Sequence, residues 1–572
     1  MTRVGALPAI IPSGERMNRS HVTRQKSRLI AGAGMAFVLL LTSGAIAAPQ
    51  LVLVNAKVFT ADPAFPYAQA LAIEDGRVLA VGSNEQVRGL IGPKTRIIDV
   101  GGRLVTPGLV EAHVHLGNEL PTPPLAVPNL PFPGPTGEQA LAAVEQAART
   151  RTDWICAYVG PLVARDPRNW RKALDMVAPN TPVFLKGFWG HTSIVNSEGL
   201  RRLGITESIT DPLGGWWGRD ENGRLDGRAY EAAETITPRI RPLTPEYLAT
   251  VFGAAQQRYA RWGVTSIHLM NNDKSLDATL AGLAAAKPAQ KWTVYSWGAW
   301  QTPAEHIPDA WAVIDAAVKQ APDKVRVEGP KWMLDGTPIE QNSHQRNAYG
   351  NRPDWRGRSN FTDAQLREIL KLALERPTQI ALHVVGDAET DRMLKMMEQL
   401  APASVWRAKR VRIEHGDGIQ PDMIEKVVQF GLVVIQNPTH LALPMPGETL
   451  ASEHMLLKSF IAAGIPLALG SDGGPKEQNP FLNLMLATLH SGEPAEALTR
   501  EAALTAYTAG GAYIEGQDQR KGRIAPGLAA DIAVLSQDVL TVPTLQLPAT
   551  TSLLTIVDGE VILADALFTS SN

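Results

Sequence analysis

The chain has 572 residues, 44% hydrophobic and 20% charged, ordinary values for a globular protein large enough for a substantial core with a second unit attached. A formal net charge of -2, with no long basic run after residue 48, argues against a nucleic-acid-binding surface. The single cysteine, Cys156, excludes an intrachain disulfide and any cysteine-built zinc cluster, and its apolar neighbours Ile155 and Ala157 read as a packed strand.

The N-terminus reads as a targeting segment. Arg19, Arg24, Lys26 and Arg28 precede the apolar run 29–41 and the small residues 43–48, the charged, apolar and cleavable order of a secretory signal. Cleavage is expected after Ala48, and no cysteine stands there to carry a lipid. The run is too short to favour a permanent span, so the mature protein is expected to be periplasmic or secreted without a stable membrane anchor. An uncleaved anchor is the alternative fate, and Met17 the alternative start.

Residues 51–54, 70–73 and 77–81 alternate as strands, punctuated by Gly76 and Gly82. Residues 531–535, 552–557 and 560–563 read likewise, with Asp558-Gly559 as a hairpin turn. The two ends, 49–105 and 519–572, are therefore expected to form one small β-sandwich.

Between them, residues 106–518 alternate strands and helices. After the apolar segment that ends in His113-Val114-His115, strand candidates cover 263–269, 292–296, 327–334, 379–384, 411–415, 431–436 and 465–470. Helical patterns at 362–374, 388–400 and 421–430 lie among them. Eight strands suffice to close a (β/α)8 barrel of the TIM type, giving an α/β fold class. A further strand-like piece, 182–188, falls within residues 118–243, which we read as an insertion after the first barrel strand. That insertion opens with the proline-rich stretch 121–135 and holds Trp154, Trp170, Trp189, Trp216 and Trp217. At the C-terminal end of a barrel strand it would overlie the catalytic mouth.

His113 and His115 leave one face of a strand and can grip one metal ion. Lys331, His383, His415 and Asp472 stand at further strand ends, where barrel enzymes place their chemistry. Gly470-Ser471-Asp472-Gly473-Gly474 lets the backbone turn sharply and approach a ligand. Singly, each of these residues has a structural explanation; their joint order does not.

At these residues the chain resembles the amidohydrolase superfamily, and within it the third family, which includes N-substituted formamide deformylases. The likeness runs through 105–115, Gly190-His191-Thr192-Ser193-Ile194-Val195-Asn196-Ser197, Gly263-Val264-Thr265-Ser266, Lys331 with Asp335-Gly336, His383-Val384-Val385-Gly386-Asp387, Ile413-Glu414-His415 and 522–531. It implies two divalent ions, zinc before manganese, iron or cobalt. His113, His115 and Asp472 would hold the buried ion and His383 and His415 the second, with Lys331 bridging them as a carbamate formed with carbon dioxide.

The same resemblance implies attack by a metal-bridging hydroxide, with Asp472 passing its proton to the leaving nitrogen. His440 is placed to meet the substrate carbonyl. His191 is placed either to reach the substrate or to make a hydrogen bond within the insertion; Asn437 and Trp332 are lesser candidates. His21, His268, His306, His344, His454 and His490 are left as structural or surface groups. Glu111 stands where the family usually has Asp and is expected to point away from the metal face. Residues 337–344 are bulkier and more polar than the family's usual small-residue stretch.

The expected function is that of an exported metal-dependent amidohydrolase cleaving an amide-like, non-peptide C–N bond in a small molecule. The tryptophans of the insertion suggest an apolar or aromatic substituent. Deamination or ester or phosphoester hydrolysis at the same site remain alternatives, as does a non-catalytic binding protein on the barrel. A homodimer is left open.

Overall fold

Runs of β-branched and aliphatic residues, each followed by an amphipathic helix, recur through the middle of the chain and pair in sequence order. In the computed structural model, residues 48–117, 119–128, 134–234, 236–271, 276–296, 307–442 and 455–569 are described. The targeting segment, His21, His306 and His454 lie outside the described residues. One sheet holds eight parallel strands. They are β1 Leu109–Val114, β2 Val264–Asn271, β3 Lys291–Ser296, β4 Val325–Met333, β5 Ala381–Val384, β6 Arg412–His415, β7 Val433–Gln436 and β8 Leu467–Leu469.

Helices such as Asp363–Glu375, opened by a Thr362/Gln365 capping box, and Asp387–Leu400 follow the strands. Their apolar faces meet the outward faces of the strands in a core containing Trp292, Trp332, Trp406 and Phe252. The (β/α)8 barrel is thus present, nearly closed. Its seam between β8 and β1 is stitched by the Asp472 N–H donating to the His113 carbonyl at 3.0 Å. Two further amides, Ser471 N at 2.8 Å and His113 N at 3.1 Å, donate to Glu111 Oε1. Gly470 is needed there: a Cβ would meet His113 N at 2.5 Å.

Strands from both chain ends share one small β unit. A four-stranded sheet (Arg77–Gly82, Ala70–Glu74, Leu51–Val54, Arg96–Asp99) faces a six-stranded one in which Leu104–Pro107 pairs with Ile532–Leu535. Leu51, Leu71 and Ile73 pack against Ile532, Val534, Leu554 and Ile556. Asp558 and Gly559 both have positive φ, as a primed hairpin turn demands.

The insertion is a lobe with its own five-stranded mixed sheet, from Ile155–Val159 to Leu225–Glu231, where the sequence suggests only the strand around Cys156 and the piece 182–188. Trp170 and Trp217 are buried in its cores and Trp154 packs against one of them, so these rings serve packing. Trp216 stacks on Tyr230 beneath Arg358. Cys156 is buried in the lobe, as its neighbours imply. The described residues pack as one unit. No helix among the described residues is long and apolar enough to cross a membrane.

Candidate metal centre

His113 and His115 emerge from the end of β1 on one face, with their Nε2 atoms 3.4 Å apart. Asp472 Oδ1 lies 3.6 Å from each. A point equidistant from three donors so spaced is about 2 Å from each, the length of a zinc–nitrogen or zinc–oxygen bond. The other oxygen of the same carboxylate, Oδ2, lies 3.8 Å from His415 Nδ1 and 3.8 Å from His440 Nε2. His383 joins from β5, its ring centroid 4.7 Å from that of His415. The Gly336 backbone approaches His383, yet among the described residues neither buried ring nitrogen makes a hydrogen bond of ordinary geometry, which leaves the unprotonated one available to an ion. Imidazole and carboxylate together suit a divalent transition metal.

Two of these residues adopt left-handed backbone, His415 at φ 68° and Asp472 at φ 41°. Strand alternation would send Glu414 and His415 to opposite faces. The left-handed residue ends β6 and turns His415 back toward the mouth, so neighbours in sequence serve one centre. Such strain persists only where surrounding structure holds it.

Lys331, on β4, is fully buried, and its charge acts on all four imidazoles, His113, His115, His383 and His415. Burial pushes its amine down to about 8, against the opposing pull of Glu414 and Asp472.

Behind the centre, the barrel interior is charged. His113 Nδ1 and Glu414 Oε2 are 2.6 Å apart, which fixes Nδ1 as the protonated nitrogen and turns the Nε2 lone pair toward the centre. Arg412 holds Glu414 at 2.7 Å, donates to the Ala112 carbonyl at 2.8 Å, meets His268 Nδ1 at 3.1 Å and lies over the Tyr295 ring. Burial alone would raise the Glu414 carboxyl, but Arg412 and His113 outweigh it and hold the group well below the usual carboxylate range. His268 continues the network to Glu515 at 3.3 Å.

Asn437 accepts from His415 Nδ1 at 2.8 Å and so orients that ring. Asp417 lies 3.1 Å from His440 Nδ1. Burial works against a charged His440, but Asp417 and Asp472 prevail and raise it to about 10.

The residues singled out in the sequence converge, apart from Trp332. That ring is buried in the outer core against Phe361, 5.8 Å away, and takes no part in the site. Glu111 is the second correction. It shares the face of His113 and His115 and closes the barrel seam, instead of pointing away. His191 makes a hydrogen bond within the insertion, to Glu231 at 3.0 Å, and also lies against His383, centroids 5.0 Å apart. His344 pairs with Glu389, and His490 meets the Met455 carbonyl, as structural groups.

Glu414, Arg412, Asp417, Glu231 and Glu340 were assigned no role from the sequence. Glu414 and Asp417 flank His415 and were findable by adjacency. Glu231 and Glu340 carry no motif.

The sequence profile described as the amidohydrolase family matches residues 96–563. The chain belongs to the amidohydrolase family. It is a metal-dependent hydrolase acting on carbon–nitrogen bonds other than peptide bonds. This amidohydrolase is 26% identical over 528 residues to the Arabidopsis thaliana protein LONG AFTER FAR-RED 3, covering 85% of this chain and 87% of that one. It is 26% identical over 557 residues to the N-substituted formamide deformylase of Arthrobacter pascens, covering 89% and 97%. Among solved structures it shares its fold with a metal-dependent hydrolase of Pyrococcus horikoshii, at TM-score 0.64 and 20% identity over 86% of this chain and 99% of that one.

Proposed function

We propose that this amidohydrolase is an exported binuclear enzyme that cleaves an amide-like C–N bond in a small, non-peptide substrate. The observation that carries the reading is the Asp472 carboxylate, one oxygen of which faces the His113–His115 pair while the other faces His415 and His440. The residues would hold one divalent ion on His113, His115 and Asp472 and a second on His383 and His415; zinc suits these nitrogen and oxygen donors.

Lys331 would join the two. Its neutral amine, favoured by burial, adds to the carbon of carbon dioxide and releases one proton to solvent. The resulting carbamate would offer the ions two anionic oxygens, where the protonated amine would repel them. When bound, the ions would lower the pKa of water toward about 7 and polarise the scissile carbonyl.

Asp472 takes the proton of the attacking water and hands it to the departing nitrogen as the C–N bond breaks. His440, kept protonated by Asp417 and Asp472, donates to the carbonyl oxygen as that oxygen gains charge. An N-substituted amide is favoured as substrate class by the likeness to a formamide deformylase.

The test is metal analysis of the purified mature protein alongside a screen of N-substituted formamides, N-acyl amino acids and cyclic amides. Amine release that requires both ions is expected. Full activity with a single ion would overturn the binuclear reading, and cleavage of esters with no amide turned over would overturn the amide reading. Lys331→Ala is expected to empty at least one metal position and abolish turnover, with bicarbonate giving no rescue. Export is tested by N-terminal sequencing, expected to begin at Pro49.

A further inference from the structure

We infer that His191, Glu231 and Glu340 form an additional divalent-cation site, distinct from the Asp472 centre, that fastens the inserted lobe to the barrel. One donor atom from each residue lies within 4.8 Å of the others. His191 Nδ1 and Glu231 Oε2, hydrogen-bonded at 3.0 Å, already keep the spacing that two donors at right angles about an ion with bonds of about 2.1 Å would need once the ring proton is displaced.

The second, independent observation is Glu231 Oε1. The Glu231 side chain is fully buried, and among the described residues this oxygen has no hydrogen-bond partner. A buried carboxylate oxygen left so costs free energy unless something satisfies it. It is aimed at the same space as Glu340: a Cβ on Gly336 would meet Glu231 Oε1 at 2.9 Å and Glu340 Oε1 at 3.0 Å. Glycine at 336 therefore leaves open the volume on which the two carboxylates converge. Thr337 fixes Glu340 from behind, its N–H donating to Oε1 at 2.8 Å and its hydroxyl to Oε2 at 2.5 Å.

The occupant is a small ion. Burial works against a charged His191, but Glu231 and Glu340 raise it to about 9. An entering cation would displace that proton. The two carboxylates, with the imidazole then neutral, sum to two negative charges, which one divalent cation cancels, a donor set that suits manganese, iron or zinc. The walls are closed, with the His191 side chain 11% exposed and that of Glu231 0%, too little for an organic ammonium.

The donors come from both parts of the fold. His191 and Glu231 belong to the lobe and Glu340 to the segment after β4. Arg165 of the lobe already grips that segment at the carbonyls of Ile339, 2.6 Å, and Pro338, 2.8 Å. An ion there would complete the fastening.

The site stands on residues other than the proposed reaction centre, so the two can fail separately. Crystals of the full mature protein equilibrated with saturating Mn2+ and measured at the manganese edge are expected to show an anomalous peak among His191, Glu231 and Glu340. Filled central positions with nothing at this triad would overturn the site and leave the hydrolase reading standing. A filled triad with an empty centre would do the reverse, and both empty would overturn both. Glu340→Gln is expected to lose one ion per chain by elemental analysis, keep the peak at His113, His115 and Asp472, and speed proteolytic cutting of the lobe. Unchanged metal content in that variant would overturn the site, and should it fail to fold, the wild-type map decides alone.

Discussion

Asp472 is a donor in the central triangle and, through its other oxygen, a neighbour of His440 at 3.8 Å, so substitution separates the two duties. Asp472→Asn keeps an oxygen for the ion and loses the proton acceptor. Turnover is expected to fall about 10²–10⁴-fold, more than metal affinity falls; equal losses in kcat and in metal titration would refute a proton-carrying role. Glu111 supports a pH prediction. Burial pushes its carboxyl up to about 8, while the unfolded chain ionises it near 4.5. Below pH 4.5 both states hold the proton, and between 4.5 and 8 only the folded state does, so stability drains away as pH rises through that window. Glu111→Gln keeps an acceptor for the Ser471 and His113 amides and removes the titration. Denaturant melts of the metal-free proteins are expected to show the variant gaining relative to wild type from pH 5 to 8. His113 and His115 were legible because period-two spacing puts them on one face. By the same parity Glu111 belongs with them, and its corrected position follows from that rule applied two residues earlier.

At the scale of a strand, β6 carries Arg412 and Glu414 inward and Ile413 outward into the helix-facing core, then breaks its own alternation at His415. Simple periodicity makes Glu414 and His415 rivals for the site, and only the left-handed turn lets both serve it. Glu414→Gln removes the charge that orients His113 and leaves Arg412 buried without its carboxylate. Metal affinity is expected to weaken about 10–100-fold, measured by competition with a chelator. The inserted lobe was less legible. Thr192–Val195 is short, and Gly215–Arg219 mixes glycine, tryptophan and arginine at a sheet edge, so neither shows the apolar run that marks residues 182–188. Their strand character comes from pairing across the lobe, a tertiary effect that local propensity does not record.

For the whole molecule, the decisive feature is that the β unit draws on both termini. Ile532–Leu535 sits between Leu104–Pro107 and Ser552–Val557, so a chain ending at 518 strands the segment that leads into β1. Losing Ile532, Val534, Leu554 and Ile556 forfeits roughly 6–12 kcal/mol of apolar burial as an upper estimate, comparable with the 5–15 kcal/mol that holds a typical fold together. The truncated protein is expected to be insoluble or to bind a hydrophobic dye, read by solubility and gel filtration. The two-ended unit and the barrel were both foreseeable because their strands fall in apolar runs bounded by turn residues.

The seam has a consequence for biosynthesis. Glu111 and Ser471 are 360 positions apart, and their contact closes the ring of strands beside the first triangle of donors. A ribosome makes His113 and His115 long before Asp472 exists, so a growing chain offers an incomplete claw that holds ions poorly. Loading is therefore expected after the final strands dock, and the compartment where that happens would set which element the centre meets.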